Sequence, residues 1–176
     1  MEWLAPRRAA QYDRYLTLRD AAPGEVTAWK AALSRFIRKL SFKYGGRPLV
    51  LKSPAHTGRI RLLLELFPDA RFVHIVRDPF VVFPSTVNLW KSLYETHGFQ
   101  KPTFRGLEEL VLETFSYLYE RLEEGKKLVP AGRFHELKYE ELVADPVGQM
   151  SRLYDALELG GFAEVKPRLE SYWREQ

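Results

Sequence analysis

The stretch FVHIVRDPFVVFPSTVNLWKSL, residues 72–93, decides the fold of this chain. It begins as a β-branched apolar run, which is typical of a buried strand, stops at an Arg-Asp-Pro triplet and resumes as a helix. Asp78 is a favourable N-cap and Pro79 is a favourable first helical residue, so the start of this helix is sharply fixed. The stretch therefore predicts a strand over residues 71–77 that is followed directly by a helix over residues 79–95.

The same alternation of short apolar runs with helical periodicity extends along most of the chain. Strands that alternate with helices of this length indicate βαβ units, so we predict an α/β fold with a parallel sheet. A length of 176 residues suits a single domain, with a helical lead-in over 1–45 and an α/β core over 46–176. Two further strands are predicted over residues 48–53 and 133–139. Further helices are predicted over residues 25–44, over about ten residues from residue 56, and over residues 105–127. Two more helical segments are separated by Pro146, the tail from residue 162 is predicted to be helical, and residues 1–19 show a looser helical period.

The composition limits the classes of protein to which the chain can belong. Its 27 basic and 23 acidic residues give a net charge of +4, which suits a site for small anions or a weak attraction for nucleic acid. Because the basic residues are dispersed, nucleic-acid binding is the weakest function considered, and we predict no nucleic-acid partner. The absence of cysteine excludes disulfides and cysteine-ligated zinc. No window approaches the roughly 18 consecutive apolar residues of a membrane span. We therefore expect a soluble cytoplasmic protein without a membrane partner.

Cations follow two of the predicted strands. Lys52 closes the strand over 48–53 and Arg77 closes the next one, so neighbouring parallel strands would bring both side chains to one rim of the sheet. Helix N-termini at that rim attract phosphate-like anions, and a guanidinium offers a planar fork to phosphate oxygens. Ser85 would add a hydroxyl donor, and Arg59 lies close to another helix start. The alternative is that Arg77 pairs with a surface carboxylate, Ser85 fills a small packing site and Arg59 is solvated.

Two longer stretches resemble the sulfotransferases that use PAPS (3′-phosphoadenosine 5′-phosphosulfate). They are LVLKSPAHTGRIRLLLELFPDARFVHIVRDPFVVFPS, residues 49–85, and LKYEELVADP, residues 137–146. The motifs LKSP, FPDA, RDP and YEELVADP occur in the family's order, and the resemblance covers roughly residues 26–172. It implies the three-layer α/β fold of the P-loop nucleotide hydrolases, with a parallel sheet.

The resemblance also implies a chemistry and assigns residues to it. In this family an arginine at a strand end and a serine eight residues later hold the 3′-phosphate of the nucleotide, and Arg77 and Ser85 match that spacing. Lys52 falls where the family's lysine approaches the phosphosulfate. The implied reaction is transfer of a sulfonyl group from PAPS to a hydroxyl or amine of a small-molecule or glycan acceptor, which leaves PAP (3′,5′-ADP) and needs no metal.

The chain departs from the family pattern in two ways. The glycine- and hydroxyl-rich loop that wraps the 5′-phosphosulfate is not found upstream of residue 48, so we expect the first βα unit to be absent. Unpaired strand edges would then be closed by the first helices, by a second copy in a homo-oligomer, which we predict, or by direct pairing of the remaining strands. Pro54 also stands where many relatives have the catalytic histidine, which leaves His56 as the nearest candidate base. An alternative function is therefore a catalytically impaired protein that keeps the 3′-phosphate site and serves in nucleotide binding or oligomerisation.

The remaining candidates are expected to be structural. His74 lies in the middle of a strand, where a histidine is most often a hydrogen-bonded core residue. Trp90, Tyr94 and Phe99 would line an acceptor pocket or, as helical spacing more often indicates, belong to the core. No pair of histidines has the spacing of a metal site.

Overall fold

The computed structural model describes residues 14–175, and those residues form two strands, eight α-helices and one 3₁₀ helix. The strands are β1 (Phe72–Val76) and β2 (Phe134–Lys138), and the 3₁₀ helix is Pro54–Gly58. The α-helices are α1 (Arg14–Thr17), α2 (Pro23–Lys43), α3 (Ile60–Leu66), α4 (Pro79–His97), α5 (Leu107–Lys126), α6 (Tyr139–Ala144), α7 (Pro146–Ala156) and α8 (Phe162–Arg174).

The sheet formed by the described residues consists of β1 and β2 paired in parallel. The register runs from Phe72 opposite Phe134 to Val76 opposite Lys138. The predicted α/β class with a parallel sheet is therefore confirmed, and these two strands pair directly with each other. Because parallel strands end at the same edge, the residues that follow them, from Arg77 and from Tyr139 onward, begin at that edge.

The strand predicted over residues 48–53 is wrong. Residues 47–53 have no strand pairing, and the side chain of Val50 is 97% exposed. An apolar run forms a strand only where a neighbour accepts its backbone hydrogen bonds, and among the described residues the pairing is taken up by β1 and β2. The helix predicted from residue 56 also differs, because the 3₁₀ helix comes first and α3 covers seven residues.

The first of two compact units contains the described residues 14–68 and Phe83–Lys127. In it α5 packs against the 3₁₀ helix and α3. Gly45 and Gly46 follow α2 with φ of +63° and +74°, left-handed values that favour glycine, so the predicted glycine end of this helix is confirmed. A buried cluster joins α4 to α5 through Val87, Tyr94, Leu107 and Val111.

The second unit contains residues 69–82 and 128–175. It holds the sheet, with α7 packed on β2 and both α6 and α8 packed on α7. Leu137 of β2 is buried in a cluster with Leu153 of α7 and with Leu157, which directly follows that helix. Asp145 caps α7, because its carboxylate accepts the N–H of Gly148 at 2.9 Å. The single domain over 1–176, with a lead-in over 1–45 and a core over 46–176, stays a prediction.

Candidate functional site

The junction between β1 and α4 is built as the sequence predicts. The Asp78 carboxylate accepts the N–H of Phe80 at 2.8 Å, and the Asp78 carbonyl accepts the N–H of Val81 at 3.1 Å. Pro79 is the first residue of α4, where its missing N–H costs no helical hydrogen bond. The cap therefore fixes where the strand ends and the helix begins, and with it the backbone position of Arg77.

Arg77 lies on the surface with its guanidinium over the ring of Tyr139, and the distance from Cζ to the ring centroid is 4.5 Å. Among residues 14–175, the Arg77 guanidinium makes no ion pair and no hydrogen bond, and the carboxylate whose charge interacts with it, that of Glu140, is bound to the N–H of Asp78. No acceptor among the described residues takes up the N–H donors of this guanidinium, which offer a planar fork. Arg77 is therefore held at the end of β1 with its donors available to an anion.

Glu140 contacts the same junction from the end of β2. Its Oε1 accepts the N–H of Asp78 at 3.1 Å. The pKa of the Glu140 carboxyl is lowered from its ordinary value of 4.5, first by that N–H and then by the N–H of Glu140 itself, with smaller contributions from the charges of Arg77 and Lys138. The carboxylate is therefore ionised at neutral pH, and a negative charge stands beside the candidate anion-binding arginine.

Ser85 and Lys52 belong to the first unit, whereas Arg77 belongs to the second. Ser85 is exposed in the second turn of α4, directly after Pro84, which lies inside the helix. Lys52 is exposed in the unpaired segment 47–53 and does not end a strand. A common rim for Lys52 and Arg77 thus stays a prediction, as does the pairing of Arg77 with Ser85 on one phosphate.

His56 lies in the 3₁₀ helix and is half-buried. Its Nδ1 atom is buried and, within the part of the chain that the structure describes, has no hydrogen-bond partner. The pKa of the imidazole is lowered from its ordinary value of 6.5, first by burial and then by the positive charge of Arg59. His56 is therefore neutral near pH 7, which is the state that a general base requires.

Arg59 makes contacts that the sequence does not reveal. Its Nε donates to the carbonyl of Leu16 at 2.8 Å, one of its terminal nitrogens donates to the carbonyl of Tyr15 at 2.5 Å, and its guanidinium lies 5.1 Å from the ring centroid of Trp29. Burial lowers its pKa. These contacts tie the 3₁₀ helix to α1 and α2, so Arg59 has a structural role, and its binding of the nucleotide stays a prediction.

A packed cluster beneath the 3₁₀ helix also escaped the sequence reasoning. A Cβ added at Gly58 would lie 2.7 Å from Cγ2 of Thr17 and 3.0 Å from Cδ2 of Leu118, so only glycine fits without displacing a neighbour. The Thr17 and Tyr117 hydroxyls are 3.0 Å apart. Arg121 pairs with a carboxylate of its own helix and lies over the Tyr117 ring, 5.4 Å from its centroid. The sequence shows only a single glycine after LKSPAHT. That glycine does not indicate close packing until its neighbours from α1 and α5 are known.

The other candidates meet the expectations only in part. His74 Nδ1 lies 3.1 Å from the carboxylate of Glu136 on the neighbouring strand, so the expected hydrogen bond is present, but His74 is half-buried and does not belong to the core. Tyr94 is a core residue, and the partly buried Trp90 packs against its cluster. Phe99 is 86% exposed, so the expectation that it belongs to the core is wrong. Among residues 14–175 there is no group of three or more histidine, aspartate or glutamate side chains with the arrangement of a metal site.

Comparison with known proteins decides the family. The model of the family described as the Sulfotransferase family matches residues 3–164. The chain belongs to the sulfotransferase family. Two relatives, from Mycobacterium bovis and Mycobacterium tuberculosis, are each named omega-hydroxy-beta-dihydromenaquinone-9 sulfotransferase Stf3. Each is 50% identical over 167 residues, which are 95% of this chain and 43% of the relative.

The sulfotransferase chain therefore spans less than half the length of these curated relatives. No solved structure matches it at a significant level. None of the helices within residues 14–175 combines the length and the apolar character needed to cross a bilayer. The match to the family model and the identity with both relatives confirm the family that the LKSP, FPDA, RDP and YEELVADP motifs predict.

Proposed function

We propose that this chain carries the nucleotide-binding core of an enzyme that transfers a sulfonyl group from PAPS to a hydroxyl or amine. The observation that supports it best concerns Arg77, which is exposed and lies just before the N-terminus of α4. Its guanidinium lies over the ring of Tyr139 and makes no ion pair with the described residues. This arrangement suits a phosphate, because the helix start is electropositive and the guanidinium donors lie in one plane. Family membership and the names of both relatives support the same reaction.

In the proposed reaction, a lone pair of the acceptor oxygen forms a bond to the sulfur of PAPS as the bond from sulfur to the bridging phosphate oxygen breaks. The acceptor proton passes to the base, and the products are the sulfate ester and 3′,5′-ADP. Negative charge grows on the bridging oxygen, so a cation there stabilises the transition state. The resemblance assigns that role to Lys52 and the 3′-phosphate to Arg77 and Ser85. Arg59 is a further candidate for the nucleotide because it lies close to a helix N-terminus.

We assign the base to His56. The lowered pKa of its imidazole supports this role, since a base must be unprotonated to accept the proton of the acceptor. The acceptor is proposed to be a small molecule with a hydroxyl group, on the basis that both relatives are named for a hydroxylated menaquinone. A glycan acceptor, a homo-oligomeric state and a cytoplasmic location stay predictions. Size-exclusion chromatography with light scattering tests the oligomer, which a clean soluble monomer would contradict.

A titration with 3′,5′-ADP tests the nucleotide site directly. At about 100 times the Kd, the nucleotide should stabilise the folded chain by ~2.7 kcal/mol, which a thermal-shift assay detects readily. Arg77→Ala removes charge-assisted hydrogen bonds of about 1.5–3 kcal/mol, so affinity should fall roughly tenfold or more with little change in the unliganded melting temperature. Arg71→Ala is the matched control, because Arg71 is an exposed arginine at the other end of β1.

The outcomes separate the proposed enzyme from its alternatives. No shift with 3′,5′-ADP, together with a silent Arg77→Ala, would reject the nucleotide site. Tight binding without sulfonyl transfer to a panel of phenols, alcohols and amines would favour the catalytically impaired alternative. Lys52→Ala should lower turnover more than nucleotide affinity, and equal losses in both would exclude Lys52 from the transition state.

A further inference from the structure

Two consecutive residues after β2 contact two consecutive residues after β1. The ring of Tyr139 lies under the guanidinium of Arg77, and the carboxylate of Glu140 accepts the N–H of Asp78. The parallel register explains these contacts, because it places Val76 opposite Lys138 and so brings the residues that follow the two strands close together. All four residues belong to the second unit.

We propose that Glu140 is a positioning residue for Arg77 in nucleotide binding. The proposal rests on the proposed function, in which Arg77 binds a phosphate. The N–H that Glu140 accepts belongs to the peptide group joining Arg77 to Asp78, and this group is planar. Holding that plane fixes the last backbone torsion of Arg77, while contact with the Tyr139 ring restricts the position of its guanidinium. Backbone and side chain are therefore set before the ligand arrives, which reduces the ordering that binding requires.

The same carboxylate also works against an anionic ligand. Glu140 is ionised at neutral pH and close enough to Arg77 for the two charges to interact, so it repels a phosphate bound to Arg77. Its hydrogen bond favours nucleotide binding and its charge opposes it. Two substitutions separate these effects: Glu140→Gln keeps a carbonyl acceptor for the Asp78 N–H without the charge, and Glu140→Ala removes both.

The test measures the Kd of 3′,5′-ADP by calorimetry for the unaltered chain and both variants. Glu140→Gln should bind as tightly as the unaltered chain or up to severalfold tighter. Glu140→Ala should bind about tenfold more weakly, which is a net loss of about 1.4 kcal/mol in binding free energy. The loss arises because the missing hydrogen bond to Asp78 outweighs the relieved repulsion. If Glu140→Ala binds as tightly as the unaltered chain or tighter, the carboxylate is a competitor of the phosphate and the proposal fails.

A double-mutant cycle shows whether Glu140 acts through Arg77. In an Arg77→Ala background, Glu140→Ala should change the Kd less than twofold, and persistence of the full tenfold loss would overturn the proposal. If the unaltered chain does not bind 3′,5′-ADP at all, the proposed function fails by itself. Amide hydrogen exchange at Asp78 then decides the positioning role: it should accelerate in Glu140→Ala and not in Glu140→Gln, and unchanged exchange in both variants would reject the role.

Discussion

Gly58→Ala should destabilise the first unit, because the space around this glycine is already filled. The added Cβ would lie 2.7 Å from Cγ2 of Thr17 and 3.0 Å from Cδ2 of Leu118, well inside the roughly 3.5–4.0 Å at which carbon atoms attract. Thr17 is 4% exposed, and its hydroxyl lies 3.0 Å from the Tyr117 hydroxyl, so turning it away loses that hydrogen bond. Overpacking of this kind costs about 1–3 kcal/mol, and we expect a loss of about 2 kcal/mol in the free energy of unfolding.

Urea unfolding followed by tryptophan fluorescence measures this loss. The first unit contains Trp29 and Trp90, and a Trp173→Phe background removes the tryptophan of the second unit. With a slope of about 2 kcal/mol per molar urea, the midpoint should fall by about 1 M. Gly24→Ala is the matched control, because a Cβ at Gly24 meets nothing within 4 Å and alanine favours the helix. A Gly58→Ala midpoint at or above that of Gly24→Ala would refute the packing argument.

Three further predictions concern charge and capping. The pKa of the His56 imidazole, followed by an NMR titration, should lie below its ordinary value of 6.5. The free energy of unfolding should therefore fall as the pH drops below 6.5, and His56→Gln should remove this part of the pH dependence. Tyr15→Phe should raise the pKa of Glu25 toward its ordinary 4.5 when the carboxyl carbon is followed by NMR, since the Tyr15 hydroxyl is the main cause of its lowering, and an unchanged pKa would contradict the contact. Asp145→Ala should cost ~1 kcal/mol in thermal unfolding and Asp145→Asn much less, and equal losses would show that the cap of α7 is not responsible.

The parts of the fold that could be predicted are those whose signals are local. A β-branched run, an Asp-Pro cap and a helical period stand side by side in residues 72–93, so β1 and α4 were predicted to within a residue or two. The strand over 48–53 failed because an apolar run reports only a tendency to be buried. Whether such a run becomes a strand depends on a neighbour elsewhere in the chain, which its own residues do not encode.

The candidate site likewise contains residues whose place the sequence could predict and contacts that it could not predict. The place of Arg77 follows from its own strand and the following cap, and the sequence predicted it. The carbonyl partners of Arg59 lie 43 and 44 residues away, and an arginine that binds backbone oxygens leaves no pattern at those positions. Glu140 was visible within YEELVADP, but its contact with Asp78 spans 62 residues and requires the strand register.

The second unit is interrupted along the chain, since residues 83–127 belong to the first unit. During synthesis, β1 therefore leaves the ribosome long before the strand that pairs with it, because His74 and Glu136 are 62 residues apart. Closing so long a loop carries an entropy cost that the formation of an individual helix does not carry, so we expect the sheet to form after the helices. Until then both backbone edges of β1, a strand that carries the exposed apolar residues Val73 and Ile75, are open to pairing with other nascent chains. Expression at low temperature or with chaperones should therefore raise the yield of this chain more than changes of buffer after folding.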